Sequence, residues 1–335
     1  MESLKILILG KGRIGQAIFH YLKKLKATKK VAFFSNGKEA KDCDLLIGAL
    51  PGEVGEKSLE VALKYKKDLI DVSDLEPEFY LNKGKQIKRK GMTVIPGCGF
   101  CPGLINLILG RERAGNKNIK EIEIKTGNLS PKKFFFPFLW CFEDLIWEHQ
   151  NPSWQIINGK KRKFPPFSGY QRENFLGIES ETYFGQGGFE NLIDVFKIRN
   201  FKFRIIRPFG FFNFSQFLEN QGFLKKKNLE TTKKILESQK EDNFTMAEIK
   251  ILTKKSKIIW KIKSFSKKNE KLNSMQKTAG IMPAIILNLL SRDKMKSKGI
   301  SFLEEIGKNK ELFQKISAKL KEEGILINRK EELST

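Results

Sequence analysis

The chain of 335 residues is longer than one hydrophobic core usually serves, so its length predicts two domains and excludes a single small binding module. Hydrophobic residues make up 40% of it, which supplies apolar material for folded cores and excludes disorder throughout. The longest apolar runs, such as 281–290, are too short to span a membrane, and the first fifteen residues lack a signal-peptide pattern. We therefore expect a cytoplasmic protein without a membrane segment.

The charge is strongly basic, because 63 Lys and Arg residues against 38 Asp and Glu residues give a net charge of +25. Such a charge attracts polyanions, so nucleic-acid binding is one hypothesis. We favour a small-molecule partner, since the basic residues are mostly Lys spread along the chain rather than concentrated beside aromatic residues. Cys98 and Cys101 form a C-x-x-C, but no second pair of ligands accompanies it, and we predict no metal site.

The first third of the chain alternates predicted strands with predicted helices. Continuous aliphatic runs such as Leu4–Leu9 are typical of strands buried on both faces of a parallel sheet, and apolar residues at helical spacing follow them. The predicted strands cover 4–9, 31–34, 44–50, 68–72 and 92–95, and the predicted helices cover 13–26, 53–65 and 77–90. This alternation predicts a Rossmann-type sheet.

A glycine-rich turn, G-x-G-x-x-G, joins the first predicted strand to the first helix. Gly10 permits the tight turn, Gly12 lets the backbone approach a diphosphate, and Gly15 allows close packing of the helix on the strand. The diphosphate would lie at the helix N-terminus, where Arg13 and Ile14 begin the helix. The turn predicts dinucleotide binding.

The end of the second strand lacks the carboxylate that usually holds the ribose hydroxyls of NAD. Ser35, Asn36 and Lys38 stand there instead. Small polar residues with a cation suit a ribose 2′-phosphate, so we predict NADP in preference to NAD. The alternative is that Lys38 is one more solvated lysine.

The chain changes character after residue 110. A loop over 96–103, with three glycines and two prolines, precedes a helix from Leu104, and alternating segments then predict an antiparallel sheet with one wet face. Predicted helices cover 143–149, 214–220, 229–238, 275–290 and 311–323. We predict an α/β protein whose Rossmann domain, 1–110 plus 272–335, is interrupted by an α+β domain over 111–271 with a largely antiparallel sheet.

Several short segments follow one another in a characteristic order along the chain: Gly10–Gly15, Leu46–Gly52, Asp71–Ser73, Gly99–Leu104, Asp144–Ile146, Asn158–Lys160, Arg207–Gly210 and Ser274–Gly280. Together they resemble the saccharopine dehydrogenase-like oxidoreductases, and within them the L-lysine 6-dehydrogenase branch. The resemblance implies NAD(P)-linked oxidation of an amine carbon of an amino acid, or the reverse reductive amination. It also implies a homodimer, with substrate contacts from the α+β domain.

The chain departs from that family pattern at several positions. The segment between the second and third strands is shorter, Gly97 replaces an expected carboxylate, Phe211 an expected histidine, and Lys277 an expected arginine. These departures motivate an alternative function, a dinucleotide-binding sensor or scaffold that has lost catalysis.

The candidate site residues follow from these motifs and from the chemistry of hydride transfer. The predicted cofactor-binding residues are Gly10, Gly12, Arg13, Ile14, Gly15, Ser35, Asn36, Lys38, Ala49, Leu50, Pro51, Ser73 and Gly99. The predicted catalytic residues are Asp71, Asp74 and His149, and the predicted substrate-binding residues are Arg207, Lys277 and Phe100.

The predicted catalytic and substrate-binding residues would handle the proton, the ammonium group and the carboxylate of the substrate. Asp71 or Asp74 would take the amine proton or bind the ammonium group, although capping of the next helix explains Asp74 equally well. Arg207 and Lys277 would bind the substrate carboxylate. His149 has an ordinary pKa near neutrality, which suits proton transfer.

Overall fold

The computed structural model describes residues 4–26, 28–73, 75–116, 118–187, 189, 192, 198–289 and 298–333. Its contacts divide the chain into two compact units, each built from separated segments. Unit 1 comprises 1–117, 187–196 and 276–323, and unit 2 comprises 118–186, 197–275 and 324–335. The sequence analysis assigns 324–335 to the first domain instead; the segment lies in unit 2 because it adds a strand to the sheet of that unit.

The elements are numbered in chain order. The strands are β1 (Leu4–Leu9), β2 (Thr28–Phe33), β3 (Leu45–Gly48), β4 (Asp68–Asp71), β5 (Thr93–Ile95), β6 (Ile119–Leu129), β7 (Ser153–Ile157), β8 (Lys160–Phe164), β9 (Gln171–Phe175), β10 (Ile178–Phe184), β11 (Asn200–Pro208), β12 (Asn243–Thr253), β13 (Ser256–Ser266), β14 (Gly299–Ile300) and β15 (Leu326–Leu333). The helices are α1 (Arg13–Lys23), α2 (Gly37–Asp42), α3 (Glu56–Tyr65), α4 (Pro77–Asn82), α5 (Gly84–Arg89), α6 (Leu104–Gly115), α7 (Phe142–Gln150), α8 (Phe211–Asn220), α9 (Lys226–Ser238), α10 (Ser274–Leu289), α11 (Leu303–Gly307) and α12 (Lys310–Glu322).

Unit 1 contains a parallel sheet with the spatial order β14-β5-β4-β3-β1-β2. In β1 the residues from Ile6 to Leu9 are buried, because the strand pairs with β2 on one side and β3 on the other. The α/β class and the parallel sheet predicted from the sequence are confirmed. The order places the carboxyl ends of β1 and β3 side by side, which is where a doubly wound sheet binds its ligand.

The short segment after β2 forms a helix that the sequence analysis did not predict. Asn36 accepts hydrogen bonds from the backbone of Lys38 and Glu39, and so caps α2 at its first turn. Among the described residues no strand pairs with the outer edge of β2, which is consistent with the shortened segment there.

Unit 2 contains a mixed sheet in the order β15-β13-β12-β6-β11-β10-β9, and β7 pairs with both β11 and β8. The β6–β11 pair is parallel, and the other pairs are antiparallel. Alternation is clearest in β13, where Ile258, Trp260 and Ile262 are buried on one face and Lys261 is exposed on the other. The prediction of a largely antiparallel sheet is confirmed.

Several strands of unit 2 were missed, and they share a charged, exposed composition. β8 reads KKRKF, β9 reads QRENF and β15 reads LINRKEEL, and most of their residues are exposed. Without buried alternate residues, such strands carry no period-two pattern for a sequence analysis to detect. Sheet pairing, rather than burial of their side chains, fixes them.

Two glycines allow α6 and α11 to cross in direct contact within unit 1. A Cβ atom at Gly110 would lie 2.0 Å from the carbonyl oxygen of Glu304, and one at Gly307 would lie 2.0 Å from that of Leu107. The backbones therefore touch where no side chain fits.

No helix within the described ranges is both long and apolar enough to cross a membrane.

We expect Gly110→Ala to destabilise unit 1 by about 2 kcal/mol or more, because the added methyl group forces the two backbones apart. Gly115→Ala is the matched control, at the end of the same helix, where a Cβ would have no atom within 4 Å. That change should leave stability unchanged or raise it by about 0.5–1 kcal/mol. Urea unfolding followed by far-UV circular dichroism measures both, and equal effects would contradict the crossing.

Candidate functional site

Two glycines of the G-x-G-x-x-G turn are required by packing, and the third faces open space. Gly10 has φ +119°, and its Cβ would lie 2.1 Å from the carbonyl oxygen of Ala49. A Cβ at Gly15 would lie 2.1 Å from the carbonyl oxygen of Gly10. At Gly12, in contrast, no heavy atom of the described residues lies within 4 Å of that position. The turn is thus packed against β3 and leaves a cradle above Gly12.

The helix that follows offers its N-terminus to this cradle. Gly12 is the N-cap of α1 and supplies no side-chain hydrogen bond, and the first turn carries no acidic residue. The N-cap residue thus places no side chain over the start of the helix, and no carboxylate of the first turn repels an anion there. Gln276 of α10 donates to the Arg13 carbonyl at 2.9 Å and helps to fix the start of the helix. The geometry fits a diphosphate.

A carboxylate does lie at the end of β2, from a residue that the sequence analysis did not assign. Glu39 accepts hydrogen bonds from the Ser35 amide at 3.0 Å and from the Ser35 hydroxyl at 2.8 Å. The Ser35 hydroxyl bond is the main cause that lowers the pKa of Glu39. Asn36 followed three residues later by Glu39 is a capping-box pattern, which could have indicated this geometry.

The segment after β3 lies beside the glycine turn. The Ala49 amide donates to the Leu9 carbonyl at 2.7 Å, and the Ala49 carbonyl abuts Gly10. Pro51 begins a single 3₁₀ turn over Gly52–Val54, and Leu50 is half-buried. The structure therefore brings together the predicted cofactor residues of these two segments.

Asp71 ends β4 and is fully buried in unit 1. Its carboxylate accepts hydrogen bonds from the Ser73 amide at 2.9 Å and the Tyr80 hydroxyl at 3.0 Å. Burial raises the pKa of Asp71, and these donors oppose the rise. Asp71 thus holds the chain after β4 in place. Asp74, the other predicted acid here, lies outside the described residues.

The loop over 96–103 is closed by contact between two glycines. Gly103 has φ +139°, and a Cβ there would lie 1.9 Å from the carbonyl oxygen of Gly99. Asn106 accepts a hydrogen bond from the Gly103 amide at 2.9 Å. Phe100, predicted to contact substrate, is 2% exposed and packs inside the unit. The loop is therefore held in one shape by its own backbone.

A small pocket in unit 1 borders this loop. Gly97, Tyr80 and Asn106 line it together with the buried residue Glu304 of α11. An acidic residue from a distant part of the chain therefore lies on the wall of the same pocket as Gly97. A sequence pattern gives no signal for this, because the α6–α11 crossing places Glu304 there.

His149 is buried in unit 2, and both of its ring nitrogens are occupied. Nδ1 contacts the Leu145 carbonyl and Nε2 contacts the Tyr183 hydroxyl. Burial, together with the charge of Arg207, lowers the pKa of His149 to about 3. The imidazole is therefore neutral near pH 7. The contacts are those of a structural histidine.

Arg207 is also buried in unit 2 and has its own acidic partner. Its guanidinium lies 3.0 Å from the Glu148 carboxylate and stacks over the rings of Trp140 and Phe211. Burial raises the pKa of Glu148 to about 7, although Arg207 opposes the rise. The sequence analysis did not select Glu148. Lys277, the second predicted carboxylate ligand, lies half-buried on α10 in unit 1.

Aromatic residues line a second small pocket, within unit 2. His149 lines it with Phe138, Phe167, Phe211 and Phe214.

The described residues contain no group of three or more His, Cys, Asp or Glu side chains placed to hold a metal ion. Cys98 and Cys101 are free thiols, and burial raises the pKa of Cys98.

The adjacent residues Glu148 and His149 predict opposite pH effects on the stability of unit 2. The native pKa of Glu148 is raised from 4.5 to about 7, so its contribution is full below pH 4.5 and is lost as the pH rises through 7. The native pKa of His149 is lowered from 6.5 to about 3, so its contribution is full above pH 6.5 and is lost as the pH falls. Each slope approaches about 1.4 kcal/mol per pH unit.

Between pH 4.5 and 6.5 the effects of Glu148 and His149 on the free energy of unfolding have opposite slopes and largely cancel. A variant that removes one of the two groups leaves the slope of the other visible. As the pH falls through this range, Glu148→Gln should lose stability and His149→Gln should gain it. Tryptophan fluorescence during urea unfolding reports unit 2, since all four Trp residues lie there. Glu230→Gln, at an exposed position of α9, is the control. Parallel pH profiles for the three variants would contradict these assignments.

Comparison with known proteins supports the fold. No protein-family model matches the chain, and no curated protein matches it. Among solved structures, saccharopine dehydrogenase (L-Glu forming) from Saccharomyces cerevisiae matches with a TM-score of 0.76 and 15% identity, over 98% of this chain and 100% of that chain. DAP dehydrogenase from C. glutamicum matches with a TM-score of 0.49 and 10% identity, over 95% and 99%. The chain has the fold of the yeast enzyme over nearly its full length.

Proposed function

We propose that the chain is an NAD(P)-dependent oxidoreductase of the saccharopine dehydrogenase type. Its reaction is hydride transfer at an amine carbon of an amino acid or amino-acid adduct, either as oxidative deamination or as reductive C–N bond formation. One observation carries the proposal. The open space above Gly12 lies at the N-terminus of α1, where the N-cap is a glycine without a side chain, beside the carboxyl ends of β1 and β3. A dinucleotide diphosphate is the ligand that this combination suits.

The substrate class rests on two further observations. The fold matches that of a saccharopine dehydrogenase over 98% of the chain. The short segments that resemble the L-lysine 6-dehydrogenase branch are spread over both units, from Gly10 to Gly280. Together they favour a basic amino acid or its adduct as the substrate.

Each part of the dinucleotide has a place among these residues. The turn Gly10–Gly15 would hold the diphosphate through backbone N–H groups, and Ala49–Pro51 would border the nicotinamide half. The nicotinamide supplies the hydride chemistry when bound. Asp71 and the Tyr80 hydroxyl keep the chain after β4 in shape beside it. Lys277 remains the candidate for the substrate carboxylate in unit 1.

The preferred dinucleotide is NAD, in contrast to the NADP expected from the sequence. The Ser35 amide and hydroxyl, which would bind a 2′-phosphate, donate instead to Glu39. An ionised carboxylate there repels a 2′-phosphate and accepts a hydrogen bond from a free 2′-hydroxyl. Glu39 therefore supports NAD.

A second function is favoured by the partners of the predicted catalytic residues. His149 has contacts at both ring nitrogens, Arg207 is paired with Glu148, and Asp71 is enclosed by its own donors. A protein that binds the dinucleotide without turnover, as a sensor or scaffold, would have such a set. This is the alternative to the enzyme.

Turnover separates the two functions. Purified protein with NAD or NADP is incubated with lysine, ornithine, saccharopine or carboxynorspermidine, and absorbance of the reduced cofactor is followed. We expect one of these amines to be oxidised. Dinucleotide binding by calorimetry without any turnover would favour the sensor, and no binding of either dinucleotide would reject both functions.

Gly12→Ala tests the cradle in the same assays. Gly12 has φ −69°, which alanine adopts without strain, so the variant should fold normally while its methyl group occupies the space of the diphosphate. We expect the Kd for NADH to rise by about tenfold or more, equivalent to about 1.4 kcal/mol. Gly115→Ala is the control and should bind as the wild type does.

Glu39→Gln tests the cofactor preference. Removal of the charge should weaken NADH binding and strengthen NADPH binding, because the repulsion of the 2′-phosphate is lost. We expect the ratio of the two Kd values to shift about tenfold toward NADPH. Asp42→Asn removes the same charge from α2 at an exposed position without a contact to Ser35 and should leave the ratio unchanged. Equal shifts in the two variants would show a general charge effect.

A further inference from the structure

The outer edge of β15 has no strand partner in the described part of unit 2. One edge of the strand pairs with β13, from Leu326 opposite Lys263 to Leu333 opposite Ser256. No strand of the described residues pairs with the other edge, and such an edge is a template for a further strand. Leu326 is 50% exposed and Leu333 is 81% exposed, so the strand carries apolar surface at both ends.

We propose that this edge pairs with the same strand of a second copy of the chain. The pairing is antiparallel about a two-fold axis at Lys330 and joins the two sheets into one. It gives a surface and a register to the dimer, and it does not depend on the proposed function.

Symmetry restricts the register. A two-fold axis that joins two antiparallel strands into one continuous sheet is perpendicular to that sheet. Each residue therefore points to the same side of the joined sheet in both copies. Residues that lie opposite each other across the axis must then point to the same side. The two numbers of each opposing pair then add to an even sum, and one residue faces its own copy. The strand has few such registers near its centre.

The register centred on Lys330 matches side chains across the axis. Arg329 faces Glu331 of the second copy, Ile327 faces Leu333, and Asn328 faces Glu332, and symmetry repeats each pair. Opposite charges and apolar pairs each stabilise antiparallel strands. The two copies of Lys330 face each other, but this side chain is largely exposed and pairs with Glu332 of its own strand at 2.8 Å.

The neighbouring registers match less well. With Arg329 on the axis, Ile327 faces Glu331 and Arg329 faces itself. With Glu331 on the axis, Lys330 faces Glu332, but Arg329 faces Leu333 and the two Glu331 carboxylates meet. Among these three registers, the one centred on Lys330 joins an acid to a base and an apolar residue to an apolar residue on the same face.

The position of Leu333 supplies a second observation. Leu333 pairs with Ser256 and Arg329 pairs with Trp260, both of which lie on the buried face of β13. Leu333 is therefore an apolar side chain on the core-facing side of the sheet that stays uncovered in the single chain. Ile327 of the second copy would cover it.

Charge-swap variants test the register through the molar mass, measured by light scattering after size exclusion. The wild type should have twice the chain mass at micromolar concentration. Arg329→Glu and Glu331→Arg each place like charges opposite one another, so each should raise the dimer dissociation constant about tenfold or more. A mixture of the two variants should recover a dimer, because each Glu then faces an Arg.

Cysteine pairs test the same register in chains whose charges are otherwise unchanged. Lys330→Cys should form an intermolecular disulfide on mild oxidation, since the residue faces its own copy. Asn328→Cys, two residues along the same face, should not, whereas Asn328→Cys with Glu332→Cys should. The wild type measures the background from Cys101 and Cys141.

Three outcomes would overturn the proposal. They are a wild type that stays monomeric at every concentration, a dimer that both charge swaps leave unchanged, and a disulfide that forms at position 328 alone but not at 330. A monomeric wild type would mean that the charges of β15 serve to block pairing instead.

Discussion

The fold of unit 1 depends on the close approach of two backbones, where the carbonyl of Ala49 meets the Cα atom of Gly10. Any side chain at Gly10 would lie 2.1 Å from that oxygen, so β1 and β3 reach this contact only because the residue is glycine. The same contact turns the chain sharply and lets α1 start at once, with Gly15 packed against Gly10. The free space above Gly12 is a consequence of this turn. The packing of the turn and the open space above it are thus set by the same few residues.

The parallel sheet could be predicted from the sequence because burial on both faces leaves a strong signal. Continuous aliphatic runs mark β1 and β3, and the glycine turn marks the edge at which they end. β8, β9 and β15 left no such signal, since their side chains are charged and face water. Their place in the sheet is fixed by backbone pairing, which a single sequence does not display.

The candidate site was predictable where the backbone forms it and less so where side chains do. The glycine turn and the segment at Ala49 lie together through backbone contacts, whereas His149 and Arg207, selected for their chemistry, each have a buried side-chain partner, Tyr183 and Glu148. The physical reason is general. A titratable group in a core must be neutral or paired, so the residues best suited to catalysis are also those that need a partner when buried.

Two acids of this chain lie near positions where the family pattern has a carboxylate and this sequence has none. Glu39 in α2 lies at the end of β2, and Glu304 of α11 lines the same pocket as Gly97. Each carboxylate reaches its place through a local constraint, the Asn36 cap in one case and the glycine crossing of α6 and α11 in the other. Where the backbone fixes a position in space, the residue that fills it can come from a different part of the sequence. Departures from a family pattern therefore do not by themselves show that a charge has been lost.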